Sequence, residues 1–157
     1  MKALVTGGAG FIGSNICAAL LRDGDQVRVV DDLSSGYRSN LTPLDGVELI
    51  EGDVRNADLM MDAARGCDVV FHLAASVGNK RSIDNPVEDA EINALGTMRV
   101  LEAARAAGVR KVVVSSSAGI YGELKTLPIA EDHPLEPLTP YGVSKLFSEK
   151  QSLAYAH

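Results

Sequence analysis

Four glycines fall within seven residues, Gly7-Gly8-Ala9-Gly10-Phe11-Ile12-Gly13, between two apolar segments of different period. Ala3-Leu4-Val5 ahead of them reads as a short strand. Behind them apolar residues recur at Ile12, Ile16, Ala19 and Leu20, the spacing of a helix with one buried face. The glycines therefore sit at a strand-to-helix turn. Gly8, Gly10 and Gly13 satisfy G-x-G-x-x-G, and Gly7, Gly10 and Gly13 satisfy G-x-x-G-x-x-G. Such a turn needs positive φ, backbone that approaches a pyrophosphate with no Cβ in the way, and close packing of helix on strand. Unpaired N–H groups at the helix start then point at the anion. This predicts a nucleotide phosphate cradle, against the blander reading of a tight structural turn. Context favours the cradle, because Gln26-Val27-Arg28-Val29-Val30 reads as a second strand ending in Asp31. That carboxylate lies 18 residues beyond Gly13, near the offset at which an acid holds a ribose diol.

Asp32 doubles the negative charge beside that position. Two carboxylates repel a 2′-phosphate, so NAD is expected over NADP, with Arg38 as the available counter-charge to the contrary. Asp32 to Asn40 is a polar connection lying either beside a bound adenosine or simply in solvent. Val47 to Ile50 reads as a third strand, followed by Asp53-Val54, where Asp53 could accept from an adenine amino group, cap the next helix, or both. That helix is expected over Asn56 to Arg65, ending at Gly66. Cys67 to Ala75 is the fourth strand, running into small residues that permit close passage of a cofactor. His72, embedded in an apolar run, reads as a structural histidine hydrogen-bonded inside the fold.

Ser76 to Ser82 reads as a polar loop whose Lys80 and Arg81 meet phosphates or solvent. One long helix is expected from Val87 to Ala107, opened by Pro86, its apolar face interrupted by Asn93, whose amide is expected to brace a neighbouring loop. Lys111 to Ser115 is the fifth strand, β-branched as a covered parallel strand should be. It ends in Ser115-Ser116-Ser117. A proline-bearing loop without periodicity follows, and loops this long are usually functional or disordered. A last helix begins at Pro140-Tyr141. The expected fold is α/β: a Rossmann-type, doubly wound parallel sheet in strand order 3-2-1-4-5 with helices on both faces, and the cofactor across the carboxyl ends at the switch point.

At 157 residues and 46% hydrophobic, the chain supports one domain. A net charge of -6 argues against nucleic acid, which requires a basic face. Cys17 and Cys67 lack metal-like spacing and read as reduced core thiols, and no metal site is expected. Met1-Lys2 leads directly into the first strand with no signal peptide ahead of it, and no apolar run approaches the length that spans a bilayer. The expected compartment is the cytoplasm, with no membrane partner.

Tyr141 and Lys145 stand four apart on the last helix and so emerge on one face. A free phenol with a pKa of about 10 is a poor base at neutral pH, and a neighbouring ammonium favours its phenolate. Ser117, ending the fifth strand, could orient the same substrate hydroxyl.

Thr6 to Gly13, Asp31, His72-Leu73-Ala74-Ala75, Asn93 with Gly96-Thr97, Ser115-Ser116-Ser117, Tyr121-Gly122 and Pro140-Tyr141-Gly142-Val143-Ser144-Lys145 together resemble the extended short-chain dehydrogenase/reductase family. Within it they are most like the amino-terminal portion of the nucleotide-sugar epimerases of the UDP-glucose 4-epimerase type. The resemblance implies a catalytic triad of Ser117, Tyr141 and Lys145. It implies NAD held by Gly7, Gly10, Phe11, Ile12, Gly13, Asp31, Asp32, Ser34, Asp53, Val54, Leu73, Ala74, Ala75, Asn93, Ser115 and the Tyr141–Lys145 pair. The implied reaction oxidises a UDP-sugar at C4, lets the keto sugar rotate and returns hydride to the other face. UDP-glucose and UDP-galactose are the implied substrates. The related 4,6-dehydratases carry Asp-Glu after the catalytic threonine, whereas Ala118-Gly119 stand here and cannot transfer protons. A reductase, a module that binds NAD without turnover, and a redox-sensing scaffold are the alternatives. Family members run to roughly twice this length, so a carboxy-terminal substrate domain is expected to be absent from this chain. A homodimer through the helices of Asn93 and Tyr141 is implied as well.

Overall fold

Five parallel strands make the sheet: β1 (Lys2–Thr6), β2 (Gln26–Asp31), β3 (Val47–Glu51), β4 (Val69–His72) and β5 (Lys111–Val114), in the order β3-β2-β1-β4-β5. The computed structural model describes residues 1–156. β1 is the hinge of the arrangement, with Val5 opposite Val29 on one side and opposite Phe71 on the other. The chain reverses its direction of travel across the sheet there, which opens a crevice at the carboxyl ends of β1 and β4.

Period-two alternation divides the core between the two faces of the sheet. Ala3, Val5, Val27 and Val29 pack with Cys17 and Leu20 of α1 (Phe11–Arg22). Leu4, Val30 and Val70 face the other way, onto Met60 and Ala63 of α2 (Ala57–Ala64) and Val100 and Ala104 of α5 (Gly96–Ala106). Helices thus cover both faces, as the sequence predicts. Both cysteines are buried and free, and burial raises both thiol pKa values, that of Cys17 to about 11.

Capping sets the helix starts. Asn56, not Asp53, caps α2, accepting from the Leu59 N–H at 3.1 Å, so the capping role expected of Asp53 is corrected. Asp53 is engaged instead by Arg55, whose backbone N–H and guanidinium both donate to it. Thr139 caps α6 (Pro140–Ala154) through the Gly142 N–H, with Pro140 in the first turn.

The structure changes two further expectations. The segment expected as a polar loop contains α3 (Asn79–Asp84), which has no apolar stripe to betray it. Its turns are held by the Ser82 N–H on Gly78 O and by the Lys80–Asp84 pair at 2.6 Å. The single helix expected from Val87 to Ala107 is α4 (Pro86–Ala90), a π turn (Glu91–Leu95) and α5 in succession. β5 is an edge strand whose Val113 is 37% exposed, because no strand lies beyond it among the described residues. The proline-bearing loop is ordered around buried His133. Its Nε2 accepts from the Lys125 N–H, its Nδ1 donates to Pro134 O, and its ring meets Tyr121 edge to face. No helix among the described residues is long and apolar enough to cross a membrane.

Leu4 is fully buried in the central strand. Replacing it with alanine should cost about 3 kcal/mol, the lost transfer free energy of the removed carbons together with the cavity left behind. Urea unfolding should show this, and Leu153→Ala on the exposed side of α6 should cost less than about 0.5 kcal/mol.

Candidate functional site

A cavity of about 460 Å³ opens along the carboxyl ends of the strands. Gly7, Gly10, Phe11, Ile12 and Gly13 line it from the first turn, Asp31, Asp32 and Ser34 from the end of β2, and Asp53 and Val54 from the end of β3. Leu73, Ala74 and Ala75 close it after β4, Ser115 after β5, and Tyr141 and Lys145 from α6. Sixteen of the eighteen residues expected at the site therefore share one cavity. Asn93 and Ser117 are not part of its lining.

The glycine turn is tight enough to exclude side chains. Gly7 has φ +70°, and a Cβ there would meet the Ala74 backbone nitrogen at 2.7 Å; a Cβ on Gly13 would meet Gly7 O at 2.2 Å. Among the described residues, the N–H groups of Phe11, Ile12 and Gly13 have no acceptor, and Gly10 supplies no side-chain cap. Three donors at the positive end of α1 thus face the cavity. Asp31 is buried and accepts from the Ala9 N–H at 2.8 Å and the Leu33 N–H at 2.9 Å, the latter on a residue at φ +57°. Asp31 therefore shapes the turn as well as charging the cavity. Asp32 is exposed, and its Oδ1 accepts both the N–H and the hydroxyl of Ser34. Hydrogen bonds from the Arg55 side chain hold the Asp53 carboxyl below its usual range, so at neutral pH it is an acceptor only.

Lys145 is 6% exposed, and no protein group among the described residues accepts from its ammonium, which lines the cavity one helical turn beyond Tyr141. Burial lowers its pKa, and the charge of Asp89 opposes that shift. Ser117 caps the 3-10 turn Ala118–Ile120, accepting from the Gly119 N–H at 3.1 Å. Gly119 packs against Tyr141: a Cβ on it would lie 3.4 Å from Ser117 Oγ and 3.8 Å from Tyr141 Cδ1. The serine-tipped strand and the tyrosine helix are thereby brought together, with Ser115 and Ser116 rather than Ser117 on the cavity wall.

Residues 3–157 match the family model of the NAD dependent epimerase/dehydratase family. The chain belongs to this family. It is 47% identical over 154 residues to the UDP-glucose 4-epimerase of Mycolicibacterium smegmatis, covering 95% of this chain and 49% of that protein. It is 42% identical to a putative UDP-glucose 4-epimerase of Methanocaldococcus jannaschii, covering 97% and 50%. Among solved structures, the UDP-glucose 4-epimerase of Thermotoga maritima with UDP-glucose superposes with a TM-score of 0.94 at 36% identity, over 99% of this chain and 51% of that one. That of Thermus thermophilus in complex with NAD gives 0.91 at 41% identity, over 99% and 51%. The chain spans about half the length of the curated relatives it matches.

The cofactor of the family is NAD, and the cavity fits it. The three free amides at α1 suit a pyrophosphate, Asp31 and Asp32 suit a ribose that carries no 2′-phosphate, and Asp53 suits an adenine amino group.

Behind the epimerase-family cavity runs a buried polar chain that sequence reasoning saw only in pieces. Thr6 Oγ1 lies 2.7 Å from His72 Nδ1, and His72 Nε2 lies 3.0 Å from Thr97 Oγ1. Thr97 donates its only proton to Asn93 O at 2.6 Å or to Ser148 Oγ at 3.1 Å, so it accepts from His72 Nε2–H, which leaves Nδ1 to accept from Thr6. Thr6 Oγ1 in turn receives the N–H groups of Leu73 and Ala74. His72 is thus a neutral structural histidine, its pKa lowered to about 3 by burial first and by the Lys145 charge second. The Asn93 side chain clasps Ser76 by both its N–H and its C=O, bracing the adjacent loop as expected. Gly36 and Arg81, from the segments expected beside an adenosine and beside phosphates, also line the cavity, as do Gly52 and Ile92, which were not singled out for it. Ile92 lies in the π turn, where straight helical periodicity misplaces every residue.

The neutral His72 gives a signed pH dependence. The unfolded chain binds a proton at this imidazole near pH 6.5, and the folded chain not until about 3, so the stability it confers is complete above pH 6.5 and lost as pH falls. Between pH 7 and pH 5 this group should remove about 2 kcal/mol. Urea unfolding at the two pH values should show that loss, and His72→Asn should flatten it.

Proposed function

We propose that this chain carries the cofactor site and the catalytic residues of an NAD-dependent UDP-sugar 4-epimerase. The observation that carries the reading is that Tyr141 and Lys145 line the same cavity as the glycine turn and Asp31. NAD, when bound, supplies the acceptor and the returning donor of a hydride at the sugar C4. Tyr141 takes the proton of the C4 hydroxyl as that carbon becomes a ketone, and gives it back when the keto sugar, turned over, is reduced on its other face. The Lys145 ammonium, one turn away, favours the phenolate that this step requires. Ser117 does not line the cavity but is seated with Tyr141 around Gly119, and donation of its hydroxyl proton to the reacting oxygen is assigned to it on the family resemblance alone. Ala118 and Gly119 offer no acid or base for eliminating water, which separates this site from a dehydratase. UDP-glucose and UDP-galactose are the proposed substrates, on the strength of the relatives' names.

Half the length of those relatives lies outside the match, and we place the region that grips the uridine diphosphate there. The same observation favours a second reading, in which the chain binds NAD without turnover of its own. Tyr141→Phe separates the two. For an epimerase, interconversion of UDP-galactose and UDP-glucose should fall by about a thousandfold, with NAD affinity changed less than about threefold. NAD binding with no interconversion by the unsubstituted chain selects the second reading, and interconversion that survives the substitution refutes Tyr141 as the base.

A second copy of the chain is the proposed partner. Pro86, Val87, Ala90, Ala94, Leu95 and Met98 form an almost wholly apolar surface along α4, the π turn and α5, with Val87 71% exposed. Sedimentation should give twice the monomer mass, and Leu95→Glu should restore the monomer.

A further inference from the structure

Among the described residues, Asp31, Asp89 and Lys145 are the carboxylates and cations more than nine-tenths buried. Asp31 is accounted for by the glycine turn. Asp89, on α4, is 1% exposed and outside the cavity wall; its Oδ1 accepts from the Asn93 amide at 2.9 Å and its Oδ2 from the Ser144 hydroxyl at 2.7 Å. Both donors are neutral. Among the described residues neither Asp89 nor Lys145 enters a direct ion pair. A buried carboxylate without a compensating charge costs several kcal/mol, so its position needs an electrostatic reason. Lys145 follows directly on the Ser144 that Asp89 holds, and it is the one buried cation.

We propose that Asp89 is a positioning residue for the Tyr141–Lys145 pair: seated by Asn93 and Ser144, its carboxylate keeps the Lys145 side chain an ammonium and fixes the turn of α6 that presents it. The proposal rests on the reading of Tyr141 and Lys145 given above. Asp31, Asp32 and Asp53 line the same cavity from the ends of β2 and β3, across β1 and β4 from the helix of Lys145, which leaves Asp89 as the carboxylate whose charge acts on it. His72 of β4 is neutral, and Arg81 of α3 adds positive charge to the same cavity. Tyr141 is one turn back on α6, and Glu149, one turn on, is turned to Ser116. The Asp89 charge opposes the effect of burial on Lys145, in keeping with this role.

The test reads the lysine itself. Carbon-13 labelling of lysine in this chain, with the Lys145 signal assigned by its loss in Lys145→Arg, gives the titration midpoint of that side chain by NMR. Asp89→Asn, which keeps the shape and removes the charge, should lower the midpoint by at least about one pH unit. Ser144→Ala, which removes the hydrogen bond and keeps the charge, should lower it by less than about half a unit. An unchanged midpoint in Asp89→Asn, or equal shifts in both variants, overturns the proposal. If Asp89→Asn does not fold, Asp89→Glu decides: the midpoint should stay within about half a unit of the parent, and a fall of one unit or more overturns the proposal. No turnover is measured, so the result stands apart from the outcome of Tyr141→Phe.

Discussion

The hydrogen-bonded chain from Thr6 through His72 and Thr97 is the interaction on which the rest of this structure depends. It joins β1 to β4 at the point where the sheet changes direction, and then joins both to α5; Ser148 extends it to α6. In a dry interior each of these groups would be costly if unpaired, and among the described residues no buried side-chain nitrogen or oxygen lacks a partner. The π turn belongs to the same device. Its irregular register leaves Asn93 O to Thr97 and Ser148, while the Asn93 side chain reaches Ser76 and Asp89. One polar network therefore sets the spacing between the strand ends that floor the cavity and the helix that carries Tyr141.

The charges along the cavity follow a gradient that suits a dinucleotide. Asp31, Asp32 and Asp53 sit at one end, the unpaired amides of α1 in the middle, and Lys145 at the other. Backbone does much of the work. Where Gly7 and Gly13 pass, any side chain would collide with Ala74 or with Gly7 itself, so the approach of an anion is reserved for N–H groups. The apolar surface left on the outer side of β5 and α6, at Val113, Val143, Phe147 and Leu153, fits a protein whose relatives extend to twice the matched length.

Most of the fold was legible because its signals are local. Strand alternation, the helical spacing behind the glycines, and the Asp31 offset each lie within a few residues, and all point to one parallel sheet in the order observed. The lining of the cavity was legible for the related reason that its residues stand at strand ends and helix starts, which sequence marks with glycine, serine and small residues. What escaped reading lacked such marks. The polar helix Asn79–Asp84 has no apolar face, and the π turn breaks the period that would have placed Ile92. Asp53 was read as a possible cap, but Arg55 engages it and Asn56 caps the helix instead.

By itself the sequence determined the order of the elements, the glycine strand-to-helix turn, and the residue types available for chemistry, because these depend on neighbours in the chain. Only the tertiary structure decided that His72 is neutral and which nitrogen carries its proton, that Asn93 serves Ser76, and that Asp89 and Lys145 are buried near one turn of α6. Those facts depend on burial and on partners 17 to 66 residues away, from Asn93–Ser76 to Thr6–His72. A chain's local pattern cannot specify which of its polar groups will find one another once water is excluded.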